Sequence, residues 1–121
     1  MNRVLLVDDS VEAATPLALL MEHAGATVRV AHDAASALEV YKEFKPALVF
    51  LDIGLPDMDG YELARQIRTL GYPRPPTLVA LSGWAPERDT VRAYEAGFAH
   101  HLMKPVMAAT LRALLVEQFG A

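Results

Sequence analysis

The sequence has 121 residues, of which 53% are hydrophobic and 21% charged, so it is long enough and apolar enough for one packed domain. The absence of cysteine excludes a disulfide scaffold, a cysteine-ligated metal site and a thiolate nucleophile. The net charge of −4 argues against nucleic-acid binding, because phosphate contacts require a basic face.

The sequence shows no signal for membrane insertion or export. No apolar run approaches the roughly 20 residues of a membrane span. The first residues reach Asp8 too soon to form a signal peptide. We therefore expect a cytoplasmic domain that does not contact a membrane.

Short apolar runs recur along the chain and predict strands. They are Val4–Val7, Thr27–Val30, Ala47–Leu51, Leu78–Leu81 and the weaker Ala99–Met103. The first, third and fourth runs are continuously apolar, which is typical of strands covered on both faces. The two histidines of the fifth run indicate an edge strand or a functional strand.

Helical patterns lie between these runs. Apolar residues at three- and four-residue steps follow Asp33 and Asp59, which are placed to cap the two helices. Gly71 is placed to end the second of these helices. Pro16 falls inside the first helical stretch, so we expect that helix to begin late, with Thr15 as its cap, or to be distorted there. Leu111 begins the apolar face of the last helix.

Strands that alternate with helices over short connections predict a doubly wound α/β domain with a parallel sheet. Ligands of such sheets bind outside the carboxyl ends of the strands. Asp8 and Asp9 follow the first strand, Asp52 the third, Ser82 the fourth and Lys104 the fifth. Four strand exits with residues suited to phosphate or metal chemistry indicate a functional site.

Three carboxylates that converge on one crevice repel each other, and a hard divalent cation removes that repulsion. Oxygen ligands favour Mg²⁺ over zinc. One of the carboxylates could then attack a phosphoryl group, since aspartate forms aspartyl-phosphates. Lys104 would supply a neutralising charge and Ser82 a hydroxyl donor.

Four motifs of the chain resemble the receiver domains of bacterial two-component response regulators. They are Val4–Asp9, the loop Leu51–Gly60, Leu81–Gly83 and the pair Lys104-Pro105. Their order and spacing match over essentially all 121 residues. The resemblance implies a flavodoxin-like, five-stranded parallel sheet of order 2-1-3-4-5 flanked by five helices. It also implies that residues 1–121 are a single receiver domain with no output domain.

The resemblance assigns roles to the site residues. Asp52 would be the phosphoacceptor, and Asp9, supported by Asp8, would bind Mg²⁺ together with Asp52. The backbone carbonyl of Gly54 would complete the metal site, and Gly54 is also a candidate for tuning the reaction rate.

The phosphoryl-binding and switch residues would be Ser82, Gly83, Lys104 and His101. Pro105 would be structural, with a cis peptide bond before it. His101 stands where most receivers carry the aromatic switch residue, which puts coupling by aromatic burial in doubt. Trp84 lies near the phosphoryl site, and we hypothesise that it restricts the hydrolytic water and lengthens the phosphorylated lifetime.

The remaining histidines and the fifth strand give further expectations. His23 and His32 have no partner that the sequence identifies, so we expect them on the surface. The fifth strand lacks the acidic residues of receivers that dimerise on the output face. We therefore expect a monomer or a weak dimer. The segment from His100 to Pro105 is most similar to receivers of hybrid sensor kinases.

As a receiver, the chain would accept a phosphoryl group from a sensor histidine kinase or a histidine phosphotransfer domain. It would shift the face formed by the fourth helix, fifth strand and fifth helix toward an unidentified downstream partner. Its own chemistry would be limited to weak self-phosphorylation and self-dephosphorylation, so it would not be an enzyme in the usual sense.

Two alternatives use the same fold class. A haloacid dehalogenase-type Mg²⁺ phosphatase carries its nucleophile after the first strand in an Asp-x-Asp-x-Thr run, which Asp8-Asp9-Ser10 does not match. A docking module that never takes phosphate would leave the polar strand ends unused.

Overall fold

Within residues 2–70, 74–83 and 87–120, which a computed structural model describes, five strands and five helices alternate along the chain. The strands are β1 (Arg3–Val7), β2 (Thr27–Ala31), β3 (Leu48–Asp52), β4 (Thr77–Ser82) and β5 (His100–Met103). The helices are α1 (Val11–His23), α2 (Ala34–Phe44), α3 (Gly60–Thr69), α4 (Glu87–Glu95) and α5 (Ala108–Phe119). Gly71, predicted to end α3, lies outside the described residues.

All of these strands pair in parallel, in the order β2-β1-β3-β4-β5. The flavodoxin-like sheet predicted from the sequence is therefore confirmed. The fifth run does form an edge strand, since β5 pairs with β4 at the end of that order. The chain crosses over between parallel strands through helices, as parallel pairing requires.

The sheet separates two hydrophobic layers, and alternate strand residues face opposite layers. In β1, Leu5 and Val7 contribute to the layer under α2, α3 and α4, whereas Val4 and Leu6 contribute to the layer under α1 and α5. β1, β3 and β4 are buried on both faces, as their continuous apolar runs predicted. Leu111 of α5 is buried in the second layer.

Two of the predicted helix starts are confirmed. The Asp33 carboxylate accepts a hydrogen bond from the Ser36 amide at the start of α2, and the Asp59 carboxylate accepts one from the Tyr61 amide at the start of α3. Each satisfies a backbone donor that the first helical turn leaves without an intrahelical partner.

The predicted late start of α1, with Thr15 as its cap, is wrong, whereas a distortion of the helix at Pro16 stays a prediction. The helix begins at Val11, because Ser10 caps it and its side chain accepts a hydrogen bond from the Ala13 amide. Pro16 lies within the helix rather than at its first position, and Thr15 donates its hydroxyl to the Val11 carbonyl instead of serving as the cap. The helix therefore includes Pro16 even though proline cannot donate the backbone hydrogen bond of that position.

None of the helices within the described residues is long and apolar enough to span a bilayer.

Candidate functional site

The polar residues predicted at the strand ends meet at one edge of the sheet. Val7 is in register with Leu51, which places Asp8 beside Asp52. Asp52 is in register with Leu81, and the Lys104 amide donates to the Ser82 carbonyl at 2.8 Å. Backbone pairing alone therefore brings these residues, which are far apart in sequence, to the same edge.

Lys104 bridges two buried carboxylates. Its Nζ lies 2.9 Å from Oδ2 of Asp52 and 3.1 Å from Oδ2 of Asp8. The other oxygen of each carboxylate accepts a backbone hydrogen bond at 2.9 Å, from Gly54 to Asp52 and from Ser10 to Asp8. Asp8 is fully buried and Asp52 is only 6% exposed. Burial of these charges is tolerable because each is both paired and hydrogen-bonded.

The pKa shifts follow from this arrangement. Burial by itself would raise the pKa of Asp52, but the hydrogen bonds from Lys104 and the Gly54 amide outweigh it and hold the pKa below its ordinary value. Burial would likewise lower the pKa of Lys104, but its hydrogen bonds to Asp52 and Asp8 raise it instead. At neutral pH the site therefore holds an ionised Asp52 beside a charged Lys104.

Asp9 completes a cluster of three carboxylates. Carboxylate oxygens of Asp8, Asp9 and Asp52 all lie within 4.8 Å of one another. Desolvation and the neighbouring Asp52 and Asp8 raise the pKa of Asp9, which is otherwise exposed. The raised pKa means that the ionised form of Asp9 is disfavoured beside the other two carboxylates. A hard divalent cation such as Mg²⁺ binds oxygen donors and would remove this repulsion.

The loop that follows Asp52 is held by its own backbone. The Gly60 amide donates to the Ile53 carbonyl at 3.0 Å, and this bond closes the loop. A side chain at Gly60 would place its Cβ 2.7 Å from the carbonyl oxygen of Asp52, a contact that backbone atoms cannot relieve cheaply. Steric crowding therefore explains why glycine occupies position 60 of the loop motif, which the sequence pattern did not reveal.

Two acidic residues tie this loop to neighbouring helices. The Asp57 carboxylate accepts hydrogen bonds from the Ala34 and Ala35 amides, at 2.8 and 3.2 Å, at the start of α2. Asp59, besides capping α3, pairs with Arg92 of α4 at 3.0 Å. The Arg92 guanidinium also lies 4.2 Å from the centre of the Tyr61 ring. The loop is thus connected to α2 on one side and to α4 on the other.

The other predicted switch residues lie in β4, in β5 or directly after β4. Ser82 is the buried last residue of β4, Gly83 follows it at an exposed position, and His101 is half-buried in β5. The peptide bond between Lys104 and Pro105 is cis, as the resemblance implied.

Trp84 lies outside the described residues, so its effect on the phosphorylated lifetime stays a prediction. The role of the Gly54 carbonyl also stays a prediction, whereas the Gly54 amide has an additional contact with Asp52.

His32 has a contact that sequence reasoning missed. Its ring is exposed, as expected of a surface residue, but Nδ1 lies 2.7 Å from the carbonyl oxygen of Asp8. The same inspection of strand ends that found Asp8 and Asp52 would have found His32, which directly follows β2.

Comparison with known proteins gives a consistent picture. Residues 4–116 match the family described as the response regulator receiver domain. A crystal structure of a CheY-like response regulator receiver domain protein from Methanospirillum hungatei is 30% identical, with a TM-score of 0.86. The superposition covers 98% of this chain and 96% of that one.

Curated relatives differ in how much of their length is matched. An uncharacterized 14.6 kDa protein of Leptolyngbya boryana is 37% identical over 96% of this chain and 88% of its own length. The response regulator MprA of Mycobacterium ulcerans is 34% identical over 93% of this chain. The chain spans 50% of the length of that protein, so the match concerns one part of it.

Proposed function

Because this chain belongs to the response regulator receiver domain family, we propose that it is a phosphoacceptor switch of a two-component phosphorelay in the cytoplasm. Asp52 takes the phosphoryl group, and Mg²⁺ is held by Asp9 and Asp52 with support from Asp8 and the Gly54 carbonyl. The observation that carries the proposal is the bridge of Lys104 between the carboxylates of Asp52 and Asp8, at 2.9 and 3.1 Å.

The transfer is a displacement at phosphorus. A carboxylate oxygen of Asp52 attacks the phosphorus of a phosphohistidine, and the bond between phosphorus and the imidazole nitrogen breaks. The nitrogen leaves with the electron pair and the ring takes one proton from solvent, so the products are an acyl phosphate on Asp52 and a neutral imidazole on the donor. Mg²⁺ held by these residues would neutralise charge on the phosphoryl oxygens. A small acyl phosphate can replace the protein donor in the test tube.

Residues of the chain prepare Asp52 for this attack. The lowered pKa of Asp52 keeps the nucleophile ionised at neutral pH. Lys104 starts on Oδ2 of Asp52 and, once the acyl phosphate forms, pairs with a phosphoryl oxygen as a mobile point charge. The hydroxyl of Ser82, at the adjacent strand end, donates to another phosphoryl oxygen.

A groove beside the site suits the donor. It measures about 430 Å³ and is lined by Asp8 and Lys104 together with apolar residues of α1 and of the β5–α5 connection, including Leu17, Leu20 and Val106. A phosphohistidine must approach Asp52 within bonding distance. The groove leads toward Asp52, because Asp8 and Lys104, which lie next to Asp52, form part of its lining. We propose that a sensor histidine kinase or a histidine phosphotransfer domain docks there.

The proposed output surface is formed by α4, β5 and the start of α5. α4, β5 and the start of α5 expose large apolar side chains at Val91, Tyr94, Met103 and Met107. Phosphorylation shifts the population between two arrangements of this face, and a downstream partner reads the difference. Ser82 and His101 lie on the two adjoining strands β4 and β5 and are the residues proposed to carry that shift.

Intact-mass measurement after incubation with a small acyl phosphate and Mg²⁺ tests the proposal. We expect the wild type to gain the mass of one phosphoryl group and Asp52→Asn to gain none. Asp33→Asn is the matched control, because asparagine also caps helices and Asp33 is not one of the three clustered carboxylates.

Absence of a mass gain in the wild type contradicts the proposal and leaves a docking module that takes no phosphate. A gain that persists in Asp52→Asn means that another residue is the acceptor. Steady release of phosphate from an ester with Asp8 as the nucleophile would instead indicate the phosphatase alternative.

A further inference from the structure

We propose that His32 is a positioning residue for the metal site and that it acts through the backbone of Asp8 to hold Asp9. The inference rests on the proposed function, since it concerns the binding of Mg²⁺ at that site. Its basis is the 2.7 Å contact between Nδ1 of His32 and the carbonyl oxygen of Asp8.

The contact continues the pairing of β1 with β2 beyond the end of the strands. The last register pair is Val7 with Ala31, and the Asp8 amide still donates to the Ala31 carbonyl at 3.0 Å. The chain then turns into α2, which Asp33 caps. At the next position the donor to Asp8 is therefore the side chain of His32 in place of a backbone amide.

The direction of this hydrogen bond is unambiguous. A carbonyl oxygen only accepts, so Nδ1 must carry the hydrogen. Both the neutral tautomer with hydrogen on Nδ1 and the imidazolium satisfy this requirement. The bond therefore does not depend on whether His32 is charged.

Anchoring the Asp8 carbonyl fixes the Cα position of Asp9. The carbonyl of Asp8, the amide of Asp9 and both Cα atoms lie in one planar unit. Asp8 itself is already held by Lys104 and by the Ser10 amide, but its side chain is buried while Asp9 is exposed. Through this planar unit, the hydrogen bond from His32 at the end of β2 restricts the backbone position of Asp9.

Asp9 needs such a link before the cation binds. Its carboxylate lies close to those of Asp8 and Asp52, and like charges push it out toward solvent. A backbone anchor opposes that movement, so less order has to be acquired when Mg²⁺ arrives. Outer partners that orient metal ligands commonly change metal affinity by about 10- to 100-fold when they are removed.

Calorimetric titration of MgCl₂ into the unphosphorylated protein tests the inference. We expect His32→Leu, which lacks a donor, to bind Mg²⁺ about tenfold more weakly than the wild type. We expect His32→Asn to stay within about twofold, because the asparagine amide nitrogen can take the place of Nδ1. His23→Leu, at the exposed end of α1, is the matched control and should bind as the wild type does.

The affinities of these variants distinguish a positioning role from an electrostatic or a purely structural role of His32. Tighter binding of Mg²⁺ by His32→Leu would show that the side chain repels the cation instead of positioning Asp9, and it overturns the inference, as does unchanged affinity. Equal weakening in His32→Leu and His32→Asn, with a matching loss of thermal stability without Mg²⁺, shows a purely structural role and also overturns it.

A second pair of variants covers the case in which His32→Leu does not fold. His32→Gln keeps a polar amide but extends it by one carbon beyond the position of Nδ1, so it should bind Mg²⁺ more weakly than His32→Asn. Equal affinity of these two variants contradicts the inference. If the wild type itself bound no Mg²⁺, the proposed function would fail rather than the role of His32 alone.

Discussion

Replacing Lys104 with methionine removes the charge that pairs with both buried carboxylates of the site and keeps most of the side-chain volume. At an effective dielectric constant of about 20, two unit charges about 3 Å apart attract by about 5 kcal/mol. Removing one partner of a buried ion pair typically costs about 3–5 kcal/mol, because the remaining charge is left uncompensated. The Lys104 side chain is 25% exposed, so water screens part of its attraction to the two carboxylates. We expect the free energy of unfolding to fall by about 3 kcal/mol.

The same variant should respond to pH in a defined direction. In the wild type the pKa of Asp52 is lowered, so its stabilising effect is present above its ordinary pKa and is lost as the pH falls through the folded-state value. Without Lys104, burial raises the pKa of Asp52, and the variant gains stability as the pH falls through that raised value. The difference in stability between the two proteins should therefore narrow on acidification from neutral pH.

Urea denaturation followed by circular dichroism, in the presence of a chelator, measures this effect. Addition of Mg²⁺ should restore part of the stability of Lys104→Met, because a bound cation neutralises the carboxylates. Lys42→Met, at an exposed position of α2, is the control and should change stability by less than about 1 kcal/mol. Equal stability of Lys104→Met and the wild type at neutral pH would refute the reasoning, as would a difference that widens on acidification.

Two further predictions concern the loop after Asp52. Gly60→Ala should lose about 1–3 kcal/mol of unfolding free energy in urea denaturation, because its Cβ would lie 2.7 Å from the Asp52 carbonyl oxygen. Gly83→Ala should lose little, because its Cβ would have none of the described atoms within 4 Å. Similar losses in the two alanine variants would contradict the steric argument. A double-mutant cycle of Arg92→Gln with Asp59→Asn should give a coupling of about 0.2–1 kcal/mol, since both side chains are half exposed and asparagine retains the α3 cap. Strictly additive effects would show that the pair does not connect the loop to α4.

The polar strand ends were readable from the sequence because each is a local feature. An apolar run that stops at Asp52 or Asp8 marks the end of a strand, and parallel strands place their carboxyl ends at one edge. The start of α1 was predicted too late, because both Pro16 and Ser10 are residue types that mark helix starts and Ser10 is the one that caps the helix. A sequence pattern alone does not rank two such local signals.

Differences among the three carboxylates were not readable in this way. Asp8 and Asp9 are adjacent in sequence, yet one is fully buried against Lys104 and the other is exposed. Which oxygen of Asp52 faces Lys104 and which faces the Gly54 amide also depends on how the strands and loops pack. The sequence showed which residues meet but could not show what each of them touches.

The sequence by itself determined the alternation of strands and helices, the parallel sheet and the polar residues at the carboxyl ends of its strands, because periodicity and strand ends are properties of neighbouring residues. Only the tertiary structure decided the contacts of His32 with Asp8 and of Arg92 with Asp59, whose partners are 24 and 33 positions apart. Such contacts arise where separate elements pack against each other, and their distances follow from the packing of the whole sheet with its helices.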